Sequence, residues 1–164
     1  MKDHWVIQGM RPKTLIAGII PPIVAYGYYF GTSGDSTKLI YFILCVLLAL
    51  FIQIATNFYN DAIDFRKGAD EKRVGPSRVA SQLNINDKLI MRIGHLFLAL
   101  AFIVGVPLII KGGVVLAILG VLSLFLAYGY TGGPFPLAYL GLGELFVILF
   151  FGLVLNNTGI FFRR

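Results

Sequence analysis

Two asparagines and two aspartates, Asn57, Asn60, Asp61 and Asp64, stand three, four and seven residues along from the first of them. On a helix those offsets put all four on one face. They sit where a long apolar run, Leu39–Tyr59, gives way to polar sequence. Asp70 and Glu71 follow, so four of the chain's eight acidic residues fall between positions 61 and 71. Carboxylate and amide oxygens suit a hard cation, and Mg²⁺ is typically held by one or two carboxylates together with substrate phosphates. The same stretch carries Arg66, Lys67, Lys72, Arg73 and Arg78, side chains suited to phosphate oxygens. Gly68, Gly75 and Pro76 would let this segment fold back over the helix end. The combination points to a diphosphate bridged by Mg²⁺. A metal neutralises the charge that develops on such a leaving group. A plain charged loop that merely sets membrane topology is the competing account. The in-register polar face weighs against it, because polar groups at the end of a membrane helix are costly and usually functional.

The elements that must position these residues are membrane helices. Hydrophobic residues make up 57% of the 164 and charged residues only 13%. The mean hydropathy is +0.81. Charge is scarce even by the standard of soluble domains, where about a quarter of residues carry it. Five apolar stretches stand out: Leu15–Tyr29, Leu39–Tyr59, Ile93–Ile110, Val114–Tyr130 and Leu145–Phe162. About 20 apolar residues cross the hydrocarbon core as a helix. Backbone groups in lipid must satisfy one another, which favours helices over isolated strands. Pro21-Pro22 predicts a kink in the first span. With that interruption and no A-x-A-like site after it, the first span reads as retained rather than as a signal peptide.

Orientation follows from the basic residues. Lys2, Arg11 and Lys13 precede the first span, and seven more lie between positions 60 and 92. Only Lys38 and Lys111 lie in the intervening connections. The positive-inside rule puts the N-terminus and the 60–92 segment in the cytoplasm. The net charge of +6 thus marks a membrane face, not a nucleic-acid partner. Cys45 is the sole cysteine, so no internal disulfide forms. Gly27-x-x-x-Gly31 has a spacing used in helix packing, weakened by the aromatics inside it.

Three stretches resemble one known family. The run Asn57-x-x-Asn60-Asp61-x-x-Asp64-x-x-x-Gly68-x-Asp70, with Arg73-x-Gly75-Pro76-x-Arg78 after it, resembles the first aspartate-rich motif of the UbiA superfamily of intramembrane prenyltransferases. Arg11-Pro12-Lys13-Thr14-Leu15, and Tyr130-Thr131-Gly132-Gly133-Pro134 continuing to Glu144, are similar to its menaquinone branch, the 1,4-dihydroxy-2-naphthoate polyprenyltransferases. The resemblance covers about residues 5–154.

It implies an all-α, polytopic transmembrane bundle of about nine spans, of which about five lie here. Residues 1–164 would be one transmembrane prenyltransferase domain, its N-terminal portion, with a divergent tail at 155–164. It implies Mg²⁺ as cofactor, a polyprenyl diphosphate as donor and 1,4-dihydroxy-2-naphthoate as acceptor, the product being demethylmenaquinone. Asp61 and Asp64 would be the catalytic acids. Asn60, Asp61, Asp64 and Asp70 would face the metal. Asn57, Arg66, Lys67, Arg73 and Arg78 would serve the diphosphate. The setting would be the cytoplasmic (inner) membrane. The family's second aspartate-rich motif is missing from this sequence, which leaves other readings open. One is an inactive fragment or lipid-diphosphate-binding module that self-associates or pairs with a chain carrying the C-terminal half. A transporter ranks last, because no charge falls in the middle of an apolar run.

Overall fold

The computed structural model describes residues 4–68, 79–83, 85–133 and 136–137. The stretch Leu145–Phe162, the tail 155–164, Asp70, Arg73 and Arg78 lie outside the described residues. The described residues form six helices and no strand: α1 (Trp5–Met10), α2 (Pro12–Ser33), α3 (Leu39–Arg66), α4 (Val79–Leu83), α5 (Asp87–Gly112) and α6 (Val114–Gly129).

Three of these, α2, α3 and α5, are long and apolar enough to cross a membrane, while α6 is a shorter apolar helix of 16 residues. Large apolar side chains cover their outer surfaces. Ile110 is 79% exposed, Val114 71% and Phe125 70%. An aqueous surface would not carry so continuous an apolar coat; lipid requires one. The protein is a multi-pass membrane protein.

Helix boundaries follow local chemistry. Arg11 adopts a left-handed backbone, φ 52°, between α1 and α2, and Pro12 then opens α2 at the position where its missing N–H costs nothing. The sequence predicts a kink at Pro21-Pro22, and both prolines lie buried within α2, which spans Pro12–Ser33. Gly34 ends α2 with φ 65°. In the turn that follows, Asp35 accepts from the Tyr29 hydroxyl at 2.7 Å, the Thr37 amide at 2.8 Å and the Thr37 hydroxyl at 2.7 Å. Those donors, the Tyr29 hydroxyl first, hold the Asp35 carboxyl down at about 2, so the turn keeps its carboxylate in all but strong acid.

Helix α3 is the central element. It packs most extensively against α5 and touches every other helix in the described bundle. Close approach depends on glycine at two points. A Cβ on Gly94 of α5 would lie 2.8 Å from the Tyr59 ring, and one on Gly9 of α1 would lie 2.5 Å from Phe58. Phe58 and Tyr59 are fully buried as a result. Phe58, Ala62, Val79, Ala80 and Ile90 then join Trp5, Val6 and Met10 in one cluster that draws α1, α4 and α5 around the polar end of α3.

Candidate functional site

The helical pattern does not stop with the apolar run. Helix α3 continues from Tyr59 through Arg66, so the asparagines and aspartates stand on successive turns of a rigid element. Asn57, Asp61 and Asp64 are buried, with Asp61 1% exposed. Burying that much polarity is costly unless each group finds a partner, and neighbouring segments supply them.

Asn57 points towards the α1–α2 joint. Its Nδ2 donates to the Met10 carbonyl at 2.8 Å and to the Thr14 hydroxyl at 2.9 Å. Asp61 accepts the Val79 amide on Oδ2 at 2.9 Å and the Ala80 amide on Oδ1 at 3.1 Å, which ties α4 to α3. The Arg11 charge attracts the Asp61 carboxylate and the Asp64 charge repels it. Arg11 Nε and Nη2 are shielded from solvent. The left-handed turn before Pro12 thus carries a guanidinium whose charge Asp61 feels.

Other members of the predicted set turn elsewhere. Asn60 Oδ1 accepts from the hydroxyl of Thr131, just past α6. Lys67 Nζ donates to the Thr131 carbonyl at 3.1 Å. Arg66 Nε pairs with Asp87 Oδ2 at 2.5 Å, fastening α3 to the start of α5. The structure therefore brings Asn57, Asp61 and Asp64 together with Arg11 and Thr14. It directs Asn60 and Lys67 to the end of α6 and Arg66 to α5. The motif spacing in the sequence does not single out Arg11, Thr14 or Thr131 as site residues. Their signal was present, since each lies in a stretch that resembles the family.

Asn57 gives a direct check on this geometry. Asn57→Leu removes the donor to the half-buried Met10 and the exposed Thr14, a net cost of about 0.5–1.5 kcal/mol per hydrogen bond. Thermal unfolding in detergent should show a lowered midpoint, and an unchanged one would mean these contacts contribute nothing.

The donor chemistry suits a hard divalent cation. Asp61, Asp64 and the Asn60 carbonyl offer oxygens only. A carboxylate has about four lone-pair sites, and Asp61 commits two of them to backbone amides. Two carboxylates plus substrate phosphates are a normal Mg²⁺ environment. Among the described residues no three His, Cys, Asp or Glu side chains group to hold a metal by themselves.

The model of the UbiA prenyltransferase family matches residues 19–159. The chain belongs to that family. Among curated proteins, this UbiA-family chain is 33% identical over 140 residues to a 1,4-dihydroxy-2-naphthoate octaprenyltransferase of Bacillus subtilis, covering 85% of this chain and 44% of the relative. It is 34% identical over 163 residues to the protein of the same name from Haemophilus influenzae, covering 94% and 52%. To a 2-carboxy-1,4-naphthoquinone phytyltransferase of Synechocystis it is 30% identical over 149 residues, covering 89% and 47%. The chain spans about half the length of the curated relatives it matches. No solved structure matches it.

Proposed function

We propose that this chain serves transfer of a polyprenyl group from polyprenyl diphosphate to 1,4-dihydroxy-2-naphthoate, giving the prenylated naphthoquinol, the reduced form of demethylmenaquinone. The observation that carries this is the buried Asp61–Asp64 pair, with Arg11 beside it, at the polar end of an apolar helix. The family and the names of its relatives supply the substrate classes.

In this reading residues 1–164 form a single membrane domain in the cytoplasmic membrane. The N-terminus and the 60–92 segment face the cytoplasm, where the basic residues concentrate. Asp61, Asp64, Asn60 and Asp70 would hold Mg²⁺, which when bound neutralises charge on the departing diphosphate. Arg11, and with it Arg73 and Arg78, supplies donors to the phosphate oxygens. Asn57 holds the α1–α2 joint against α3 and so keeps Arg11 in place. The allylic carbon–oxygen bond breaks and diphosphate leaves with the electron pair. The ring carbon bearing the carboxyl group attacks the allylic carbon, and carbon dioxide departs. Apolar helices keep the isoprenoid tail in the lipid phase throughout.

Arg66 and Lys67 separate two roles. If the Arg66–Asp87 pair is only a clasp between α3 and α5, Arg66→Ala and Asp87→Ala behave alike. Each then changes stability by less than about 1 kcal/mol, as exposed pairs do. A diphosphate contact from Arg66 would instead weaken donor binding in Arg66→Ala alone. Filter binding of radiolabelled geranylgeranyl diphosphate to membranes reads the difference. The transfer itself is tested with membranes containing this chain, supplied with Mg²⁺, a polyprenyl diphosphate and 1,4-dihydroxy-2-naphthoate. Prenylated naphthoquinol by mass spectrometry, abolished by EDTA, supports the reading. Mg²⁺-independent product would overturn it.

A further inference from the structure

The polar face of α3 runs deeper than the acidic motif. Gln53 lies four residues before Asn57, seven before Asn60 and eleven before Asp64. Those offsets place it on the same stripe of the helix. At 1.5 Å per residue it stands about 10 Å further along the axis than Asn60, inside the apolar span. The seam between α2 and α3 holds it there. One turn towards the polar end, Asn57 reaches Thr14 of α2. One turn deeper, Gly18 of α2 faces Gln53. A Cβ on Gly18 would lie 3.5 Å from Gln53 Cβ and 3.5 Å from the Ala49 carbonyl oxygen. Gly18 is buried and Gln53 half-buried.

The nearby polar side chains of α3 close on the protein. Thr56 donates to the Ile52 carbonyl at 2.9 Å, and Asn57 donates to Met10 and Thr14. Gln53 does not close in this way. Among the described residues its carboxamide meets no hydrogen-bond partner. A polar group inside a membrane span is costly, and those that persist there mark substrate paths.

We propose that Gln53 binds the aromatic acceptor, its carboxamide pairing with a ring hydroxyl of the naphthoate. The inference rests on the prenyl-transfer reading above. The two substrates differ in what they offer an amide at this depth. Beyond its diphosphate a polyprenyl donor is hydrocarbon, with no atom to donate or accept. 1,4-Dihydroxy-2-naphthoate carries two hydroxyls and a carboxylate. The anionic carboxylate belongs at the end where Arg11 and the cation lie. That points the 4-hydroxyl, the farther of the two, into the span. A carboxamide accepts from a hydroxyl through its oxygen and donates to one through its nitrogen, so either orientation of the Gln53 amide makes the bond.

The test reads acceptor binding without turnover. The detergent-solubilised chain, with Mg²⁺ and inorganic diphosphate, is titrated with fluorescent 4-hydroxy-2-naphthoate and with 2-naphthoate, the same ring without the hydroxyl. The parent chain should prefer the hydroxylated ligand about 5-fold or more, the worth of one hydrogen bond. Gln53→Met keeps the length and leaves only a weak acceptor, so it should erase that preference. Its affinity for 2-naphthoate and its Mg²⁺-dependent binding of geranylgeranyl diphosphate should stay unchanged, which also shows the variant to be folded. The same preference in Gln53→Met as in the parent would overturn the proposal. So would equal losses for all three ligands, which would reduce Gln53 to packing in the α2–α3 seam. A parent chain that binds geranylgeranyl diphosphate with Mg²⁺ yet does not distinguish the two naphthoates overturns it too and leaves the diphosphate reading standing. A parent that binds neither diphosphate nor naphthoate defeats both.

Discussion

Replacing Asp61 with alanine should produce two losses at once. Turnover should fall by about 100-fold or more, because a metal ligand that stabilises a leaving diphosphate contributes several kcal/mol and each 1.36 kcal/mol is tenfold in rate. Stability should fall as well. The Val79 and Ala80 amides both donate to this carboxylate in a buried site, and alanine leaves both without an acceptor. Each unmet buried donor costs about 1–3 kcal/mol. Asp64→Ala should separate the effects. It removes the second acid without freeing those amides, so it should lose comparable activity with a smaller change in thermal midpoint. Activity and unfolding, measured on the two variants side by side, decide the matter. Full turnover in Asp61→Ala would mean the acid is a structural tie for α4 and nothing more.

The second large effect concerns packing. Gly94→Leu should separate α3 from α5, since even a Cβ at that position would press within 2.8 Å of the Tyr59 ring. Tyr59 is fully buried and has no slack, and it meets Tyr128 and His95 edge-on at 5.4 and 5.3 Å. Forcing extra volume into a packed site costs typically about 1–3 kcal/mol and sometimes more. Because α3 carries the acidic residues, the expected outcome is a lower thermal midpoint together with reduced diphosphate binding. Gly27 and Gly31 of α2 are the natural controls. Nothing lies within 4 Å of a Cβ on either, so Gly27→Ala and Gly31→Ala should leave the midpoint unchanged or raise it slightly. Circular dichroism melts of the three variants would show the contrast, and a Gly94 variant as stable as Gly27→Ala would contradict the packing described.

These two positions also show what was and was not legible in the sequence. The run Leu39–Tyr59 with its polar continuation announces a membrane helix, and the three-, four- and seven-residue spacing of Asn57, Asn60, Asp61 and Asp64 announces a shared face. Helical periodicity carries that information within one element. What it cannot carry is the identity of partners from other elements. Asp61 meets backbone amides at 79 and 80, which have no side-chain signature at all. Arg11 reads as a topology-setting charge, and only the fold shows that its charge acts on Asp61. Asn60 lies on the polar face by spacing, yet its partner Thr131 comes from beyond α6. Arg66 looks like any phosphate-binding arginine, and only packing shows it clasping Asp87. The small-residue spacing at Gly27 and Gly31 suggests a helix contact that the described bundle does not make there.

The Asp61–Asp64 end of α3 should bind a diphosphate through a divalent cation. Equilibrium binding of geranylgeranyl diphosphate to the purified chain, with and without Mg²⁺, tests it most directly. Binding should require Mg²⁺ and be lost in Asp64→Ala while the protein remains folded. Binding of equal strength without Mg²⁺, or undiminished in Asp64→Ala, would contradict it.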